Sequence, residues 1–250
     1  MHRFFVENSQ SNLLTLSERE SHHATNVLRV KQGERVVVLD GKGGEILCEV
    51  ENPTARKITL KVLQRTTIPP LPYQLVLVQA LPKGKAMDLI VQKAAELGAY
   101  RIVPLISERS VTQIEEENAA AKVEKWDAIA IDAIKQCGST WLPRIEPPCS
   151  PQAFIAKGER FDLALVATLQ NDRKHPREYI RNHLAERGGL PKSIAVWVGP
   201  EGDFTPAEIN AIRASGALPI TLGELILRSE TAAIFCLSVL NYELQAPHPE

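Results

Sequence analysis

Long apolar runs are missing from this sequence. The longest, from Ala232 to Leu240, covers nine residues and is broken by Ser238, far short of the roughly 20 that a helix needs to span a bilayer, so no membrane association is expected. The opening residues MHRFFVENSQ carry no apolar signal region, and the expected compartment is the cytoplasm. Cysteine is scarce: Cys48, Cys137, Cys149 and Cys236 lie 89, 12 and 87 positions apart. With no CxxC pair and no zinc spacing, they predict reduced thiols packed as small apolar side chains, and no metal centre. The adjacent His22 and His23 point in different directions on a helix and read as surface or core residues. An excess of either charge is missing too, with 29 Lys+Arg against 30 Asp+Glu. That excludes a uniformly basic nucleic-acid coat while leaving room for a local basic patch. Nor is there a phosphate-cradling glycine motif. Lys85 has Gln79 where the first P-loop glycine belongs, and the glycines of GKGG at 41–44 sit in a hairpin, not at a strand-to-helix turn. Phosphoryl and hydride transfer therefore lose their support, and neither HExxH nor a GxSxG elbow occurs.

What is present is an ordinary globular chain of 250 residues, 44% apolar and 24% charged, long enough for two unequal domains. Residues 1–65 read as short strands. RFFVE, ERVVVLDGKGGEILCEVEN and ARKITLKVLQR carry β-branched residues near period 2, and GKGG makes a hairpin turn. One helix interrupts them, capped by Ser17 with Glu20 completing a capping box, and SHHATNVLRV follows before Gly33. The pattern is that of a small β-barrel. TTIPPLP, with prolines at 69, 70 and 72, is a stiff extended segment, which puts the boundary near residue 70 and gives domains 1–70 and 71–250.

From Tyr73 the pattern alternates. QLVLVQAL, YRIVPLIS, DLALVAT, SIAVWVG and LPITLG read as buried strands, and KAMDLIVQKAAELG, AAAKVEKWDAIAIDAIKQC, PREYIRNHLAERGG, TPAEINAIRASG and Ser229–Leu244 as helices. The charge run Glu115–Glu117 reads as a solvated loop. Alternating βα units predict an α/β domain with a mostly parallel sheet covered by helices on both faces. Ligands of such sheets bind beyond the carboxyl ends of the strands, and two loops there stand out. Gly199-Pro200-Glu201-Gly202 lies between a strand and a capped helix, whose positive end it shares. Leu222 and Gly223, with Leu225, Ile226, Leu227 and Arg228, form an apolar loop leading into the last helix, near Thr231 and Ala232. An apolar loop at a strand end fits backbone wrapped around a flat ligand such as adenine, with Arg228 beside a carboxylate or a base.

Taken together, HRFF, HHATNVLRVKQG, KGKAMDLIVQKAAELG, SERSV, VGPEGDFTPAE and LGELILRSETAA resemble the bacterial 16S ribosomal RNA uracil-N3 methyltransferases of the SPOUT superfamily. The likeness runs over nearly the whole chain. It implies a PUA-like RNA-binding domain at 1–70, a catalytic domain at 71–250 with a deep trefoil knot, S-adenosylmethionine as methyl donor, 16S rRNA or the small ribosomal subunit as partner, and a homodimer. The two loops, with Thr231 and Ala232, then become the cofactor pocket.

Arg228 is the first choice to stabilise negative charge spreading over the uracil oxygens. Glu201 either accepts the N3 proton or caps the following turn. Arg3, Arg29, Lys31 and Arg35 are the candidates for RNA phosphate contacts, though residues 1–70 hold only 10 Lys+Arg against 8 Asp+Glu. Two departures from the family pattern matter. Its arginines after the central helix are replaced by Ser139 and Trp141, which leaves Trp141 to stack a base, and Asp203 stands where the family commonly has glycine. The last helix has apolar residues on more than one face, including Ala233, Ile234, Phe235, Leu237, Val239 and Leu240, in keeping with a partner subunit. Two alternatives stay open: the same fold acting on a ribose 2′-hydroxyl or a transfer RNA, and a non-enzymatic RNA-binding protein.

Overall fold

A computed structural model describes residues 1–54, 57–110, 116–170 and 172–245, and the chain packs as two compact units. The first comprises Met1–Pro70 together with Ile131–Leu142. Its elements are β1 (Arg3–Phe5), β2 (Leu13–Thr15), α1 (Glu18–Asn26), β3 (Arg35–Leu39), β4 (Gly44–Pro53) and β5 (Ile58–Thr67), with the strands in one sheet of order β1-β3-β4-β5-β2. Alternation along β3 and β4 turns Val36, Val38, Ile46, Cys48 and Val50 inward, onto Phe4, Leu14, Ile58 and Leu60. The hairpin at Gly41–Gly44 is held by the Asp40 carboxylate, which accepts from the N–H groups of Lys42 and Gly44, both at 2.8 Å.

The N-terminus of α1 follows only half of the expected capping box. Ser17 Oγ accepts from Glu20 N, but the Glu20 carboxylate turns away to Lys135 Nζ at 2.5 Å. The helix stops at Asn26, and Arg29 beyond it adopts φ +56°.

The second unit, Leu71–Ala130 with Pro143–Glu250, follows the βα alternation. In chain order it holds β6 (Gln74–Ala80), α2 (Ala86–Glu96), β7 (Arg101–Leu105), α3 (Glu116–Cys137), β8 (Arg144–Ile145), α4 (Pro151–Ala156), β9 (Leu163–Ala167), α5 (Pro176–Arg187), β10 (Ser193–Val198), α6 (Pro206–Ala214), β11 (Leu218–Ile220) and α7 (Ser229–Gln245). The last residues of α3 belong to the first unit. Glu116 and Glu117 open α3 where a loop was expected, and Glu115 lies outside the described residues.

Six strands run in the order β11-β9-β10-β6-β7-β8, every neighbouring pair parallel. One face of the sheet, Val76, Val78, Ala80, Val103, Ala195 and Trp197 among its residues, packs on Phe154 of α4 and Ile209 and Ile212 of α6. On the other, α7 packs against β6, β10, α2 and α5. Among the described residues no helix is long and apolar enough to cross a membrane.

Candidate active site

The loop after β10 is pinned at both ends by core side chains. Trp197, next to last in β10, makes edge-to-face contacts with Phe154 at 5.3 Å and Phe204 at 6.5 Å between ring centroids. Phe204 is buried, so residues 199–203 must arch between two fixed points. Thr205 then starts α6 with a complete capping box, its hydroxyl accepting from Glu208 N and Glu208 Oε2 accepting from Thr205 N. The other oxygen of the buried Glu208 accepts from Glu108 N at 2.9 Å. This anchors the 107–110 segment beside the loop, and Arg109 Nη1 donates to the Gly202 carbonyl at 2.7 Å.

A cleft with about 600 Å³ of empty space, partly open to solvent, lies beyond the carboxyl ends of β9, β10 and β11. Gly199, Pro200, Glu201, Leu222, Gly223, Leu225, Ile226, Leu227 and Ala232 all line it, as the two loops predict. Gly202, Arg228 and Thr231 flank these residues in the chain without lining the cleft. Sequence reasoning missed the third wall, Ala167, Thr168 and Leu169 at the end of β9 with Arg173 beyond them, and also Asp203 and Ser229.

The glycines do different work. Gly223 sits at φ +107° with nothing within 4 Å of where a β-carbon would stand, so its backbone faces open space that a ligand can approach closely. A β-carbon at Gly199 would instead come within 2.9 Å of Asp203 Oδ1 and 3.2 Å of Asp203 Cα. That glycine is required by the fold of its own loop. A β-carbon at Gly202 would make ordinary contact with Arg109.

Arg228 is exposed, and among the described residues its guanidinium has no hydrogen-bond or ion-pair partner. Glu201 is exposed as well, with one carboxylate oxygen accepting from Lys83 N at 2.9 Å. A cleft with apolar side chains along one wall, Glu201 in its lining and the exposed Arg228 next in the chain to that lining suits a flat ligand and chemistry in which charge develops.

A family model described as RNA methyltransferase domain matches residues 69–241, and one described as RNA methyltransferase PUA domain matches residues 16–63. Ribosomal RNA small subunit methyltransferase E of Bacillus subtilis is 30% identical to this chain over 98% of both sequences. That of Aquifex aeolicus is 33% identical over 96% of this chain and 99% of its own. This chain belongs to the ribosomal RNA small subunit methyltransferase E family. Solved structures agree. A methyltransferase from Legionella pneumophila, in complex with its bound cofactor SAM, has a TM-score of 0.88 at 32% identity, covering 96% of this chain and 97% of that one. The family member from Neisseria gonorrhoeae, bound to S-adenosyl methionine, has a TM-score of 0.84 at 28% identity, covering 97% and 98%.

In this small subunit methyltransferase E relative, the expected RNA contacts of the first unit separate into two groups. Arg3 Nη1 donates to the carbonyls of Lys135 and Gln136 at 3.3 and 3.2 Å, closing the end of α3, whose last carbonyls lack helical partners. Arg29, Lys31 and Arg35 are exposed, and their charged groups have no partner among the described residues. Trp141 donates from Nε1 to the Ile68 carbonyl at 3.0 Å and packs so closely on Gly43 that a β-carbon there would lie 2.7 Å from its ring. It is 37% exposed, so part of the indole surface still meets solvent.

Proposed function

We propose that this protein transfers a methyl group from S-adenosylmethionine to N3 of a uridine in 16S rRNA of the small ribosomal subunit. The observation that carries the reading is the cleft built from the 199–203 and 222–229 segments at the carboxyl ends of three parallel strands, in a chain of this family. Apolar walls from Leu225, Ile226, Leu227 and Ala232, and open space over Gly223, suit a flat adenine ring. When bound, the cofactor supplies an electrophilic methyl on a sulfonium.

The chain's own residues have three tasks. They orient the uracil against that methyl, offset the negative charge that spreads to O2 and O4 as N3 loses its proton, and receive the proton. Arg228 meets the second, because a guanidinium keeps its charge at any working pH and this one has no partner among the described residues to satisfy. Glu201 meets the third through the oxygen that Lys83 N leaves free. The 199–203 and 222–229 segments would hold the cofactor, which would supply the methyl group and retain the electron pair of its bond to sulfur. Arg29, Lys31 and Arg35 hold RNA phosphates in this reading, and Arg3 serves the fold.

The test is nucleoside mass spectrometry of small-subunit rRNA treated with the purified protein and labelled S-adenosylmethionine. The expected product is N3-methyluridine. A 2′-O-methyl nucleoside or labelled transfer RNA would replace the N3 assignment, and absence of any labelled nucleoside would leave RNA binding alone. Arg228→Ala is expected to lower kcat about 100-fold or more with little change in RNA affinity.

A further inference from the structure

Gln79 is a polar side chain in a place that sheet packing reserves for apolar ones. It is fully buried near the end of β6, which is central in the sheet between β10 and β7. Val76, Val78 and Ala80 face the core under α4 and α6, so alternation turns Gln79 to the opposite face, with Leu75 and Leu77. Its Nε2 donates to the Ala80 carbonyl at 2.7 Å and to Ser229 Oγ at 2.9 Å. Ser229 Oγ in turn donates to the Gly199 carbonyl at 2.7 Å.

Proton counting fixes the amide's orientation. Ser229 has one hydroxyl proton and gives it to Gly199, so toward Gln79 it can only accept. Both amide hydrogens are then used, and Gln79 Oε1 is buried with no hydrogen-bond partner among the described residues. A buried acceptor left unsatisfied costs stability that a leucine here would not. A group that weakens the fold where an apolar residue would fit is better explained by what it holds in place.

What it holds is specific. Gly199 starts one wall of the cleft, and Ser229, the first residue of α7, ends the other and itself lines the cleft. We infer that Gln79 and Ser229 are positioning residues for the cofactor, a relay that ties the Gly199 carbonyl and the start of α7 to the central strand and so fixes the spacing of the two binding loops. The inference rests on the cleft being the S-adenosylmethionine site.

The experiment compares the full-length protein with Gln79→Met, Ser229→Ala, Ser229→Thr and the Gln79→Met/Ser229→Ala double variant. It measures S-adenosylmethionine affinity by calorimetry, KM for RNA, and thermal melting. Gln79→Met and Ser229→Ala should each weaken cofactor binding about tenfold. The double variant should lose no more than the worse single one, because both break one relay. Ser229→Thr, which keeps the hydroxyl, should bind within about twofold of wild type. KM for RNA should not move. Gln79→Met should melt at or above the wild-type temperature, since the orphaned acceptor is gone; a residue that merely supports the fold would instead lower melting and affinity together. Unchanged affinity in both single variants, additive losses, or affinity that falls only in step with melting would overturn the relay. A wild-type protein that binds no S-adenosylmethionine would overturn the cleft assignment itself, a result separate from variants that bind as well as wild type.

Discussion

Asp203 holds φ +58°, in the left-handed region that a β-carbon disfavours. Its Oδ1 accepts from Phe204 N at 2.7 Å, the kind of local bond that makes aspartate tolerable there. Asp203→Gly is therefore expected to leave stability within about 0.5 kcal/mol of wild type, whereas Asp203→Ala keeps the strain, loses the acceptor, and should cost about 1–2 kcal/mol in thermal melting. The thiols give a second residue-level expectation. Burial pushes Cys48 up to about 11 and Cys236 up to about 12, while Cys137 is exposed. A thiol reagent at neutral pH should modify Cys137 first, burial slowing Cys149, and reach Cys48 and Cys236 only after denaturation, as read by mass spectrometry. Rapid native labelling of either buried thiol would contradict the packing described. At this scale the sequence showed the glycine-bearing walls of the cleft, because glycine and an apolar loop at strand ends are unusual. Thr168, Leu169 and Arg173 carry no such mark, and Gln79 hides inside what reads as one apolar strand, QLVLVQAL. Arg3 looks like any surface cation until the end of α3, far away in sequence, is seen to need its donors.

Long elements were legible because period and capping agree: α6 has its complete box, and β6, β9 and β10 are buried runs. The missed ones, β2, β8 and α4, span three, two and six residues, too short to show a period. β8 exists because Arg144 and Ile145 pair with Arg101 and Ile102, a tertiary fact. The junction of β7 and β8 also holds an ion cluster around the buried Glu146. Arg101 Nη1 donates to Glu146 Oε1 at 2.8 Å and to Glu159 Oε1 at 3.0 Å, and Lys157 Nζ to Glu146 Oε2 at 2.7 Å. Burial pushes the Glu146 carboxyl up, but the Lys157 hydrogen bond and the Arg101 charge outweigh it and hold the group below its ordinary 4.5. The Arg101 hydrogen bond lowers Glu159 likewise. A carboxyl depressed by folding stabilises the fold above its ordinary value, and that contribution is lost as pH falls through the folded-state value. Melting temperature should thus hold near neutrality and drop as pH falls below about 4.5, the ordinary glutamate value. Glu146→Gln should cost about 2 kcal/mol or more at pH 7 and flatten the acid limb. An acid limb identical to wild type would show that other groups set it.

For the molecule as a whole we propose a homodimer. Leu225 and Ile226 are each 79% exposed, and Phe235 and Tyr242 lie outward on α7 at 38% and 70%, apolar surface that a second copy can cover. Light scattering at micromolar concentration should give twice the chain mass of 27.6 kDa, and Tyr242→Glu should shift the population toward monomer. A monomer in the wild type would remove the proposal. The first compact unit carries a consequence for heredity. It is assembled from two stretches of chain, Met1–Pro70 and Ile131–Leu142, joined within it by Arg3 at the carbonyls of Lys135 and Gln136 and by Glu20 at Lys135 Nζ. A coding cassette that ends at residue 70 would therefore carry an incomplete part of this unit. A gene fusion that moves only the leading 70 codons onto another enzyme would leave Glu20 and Arg3 without these partners.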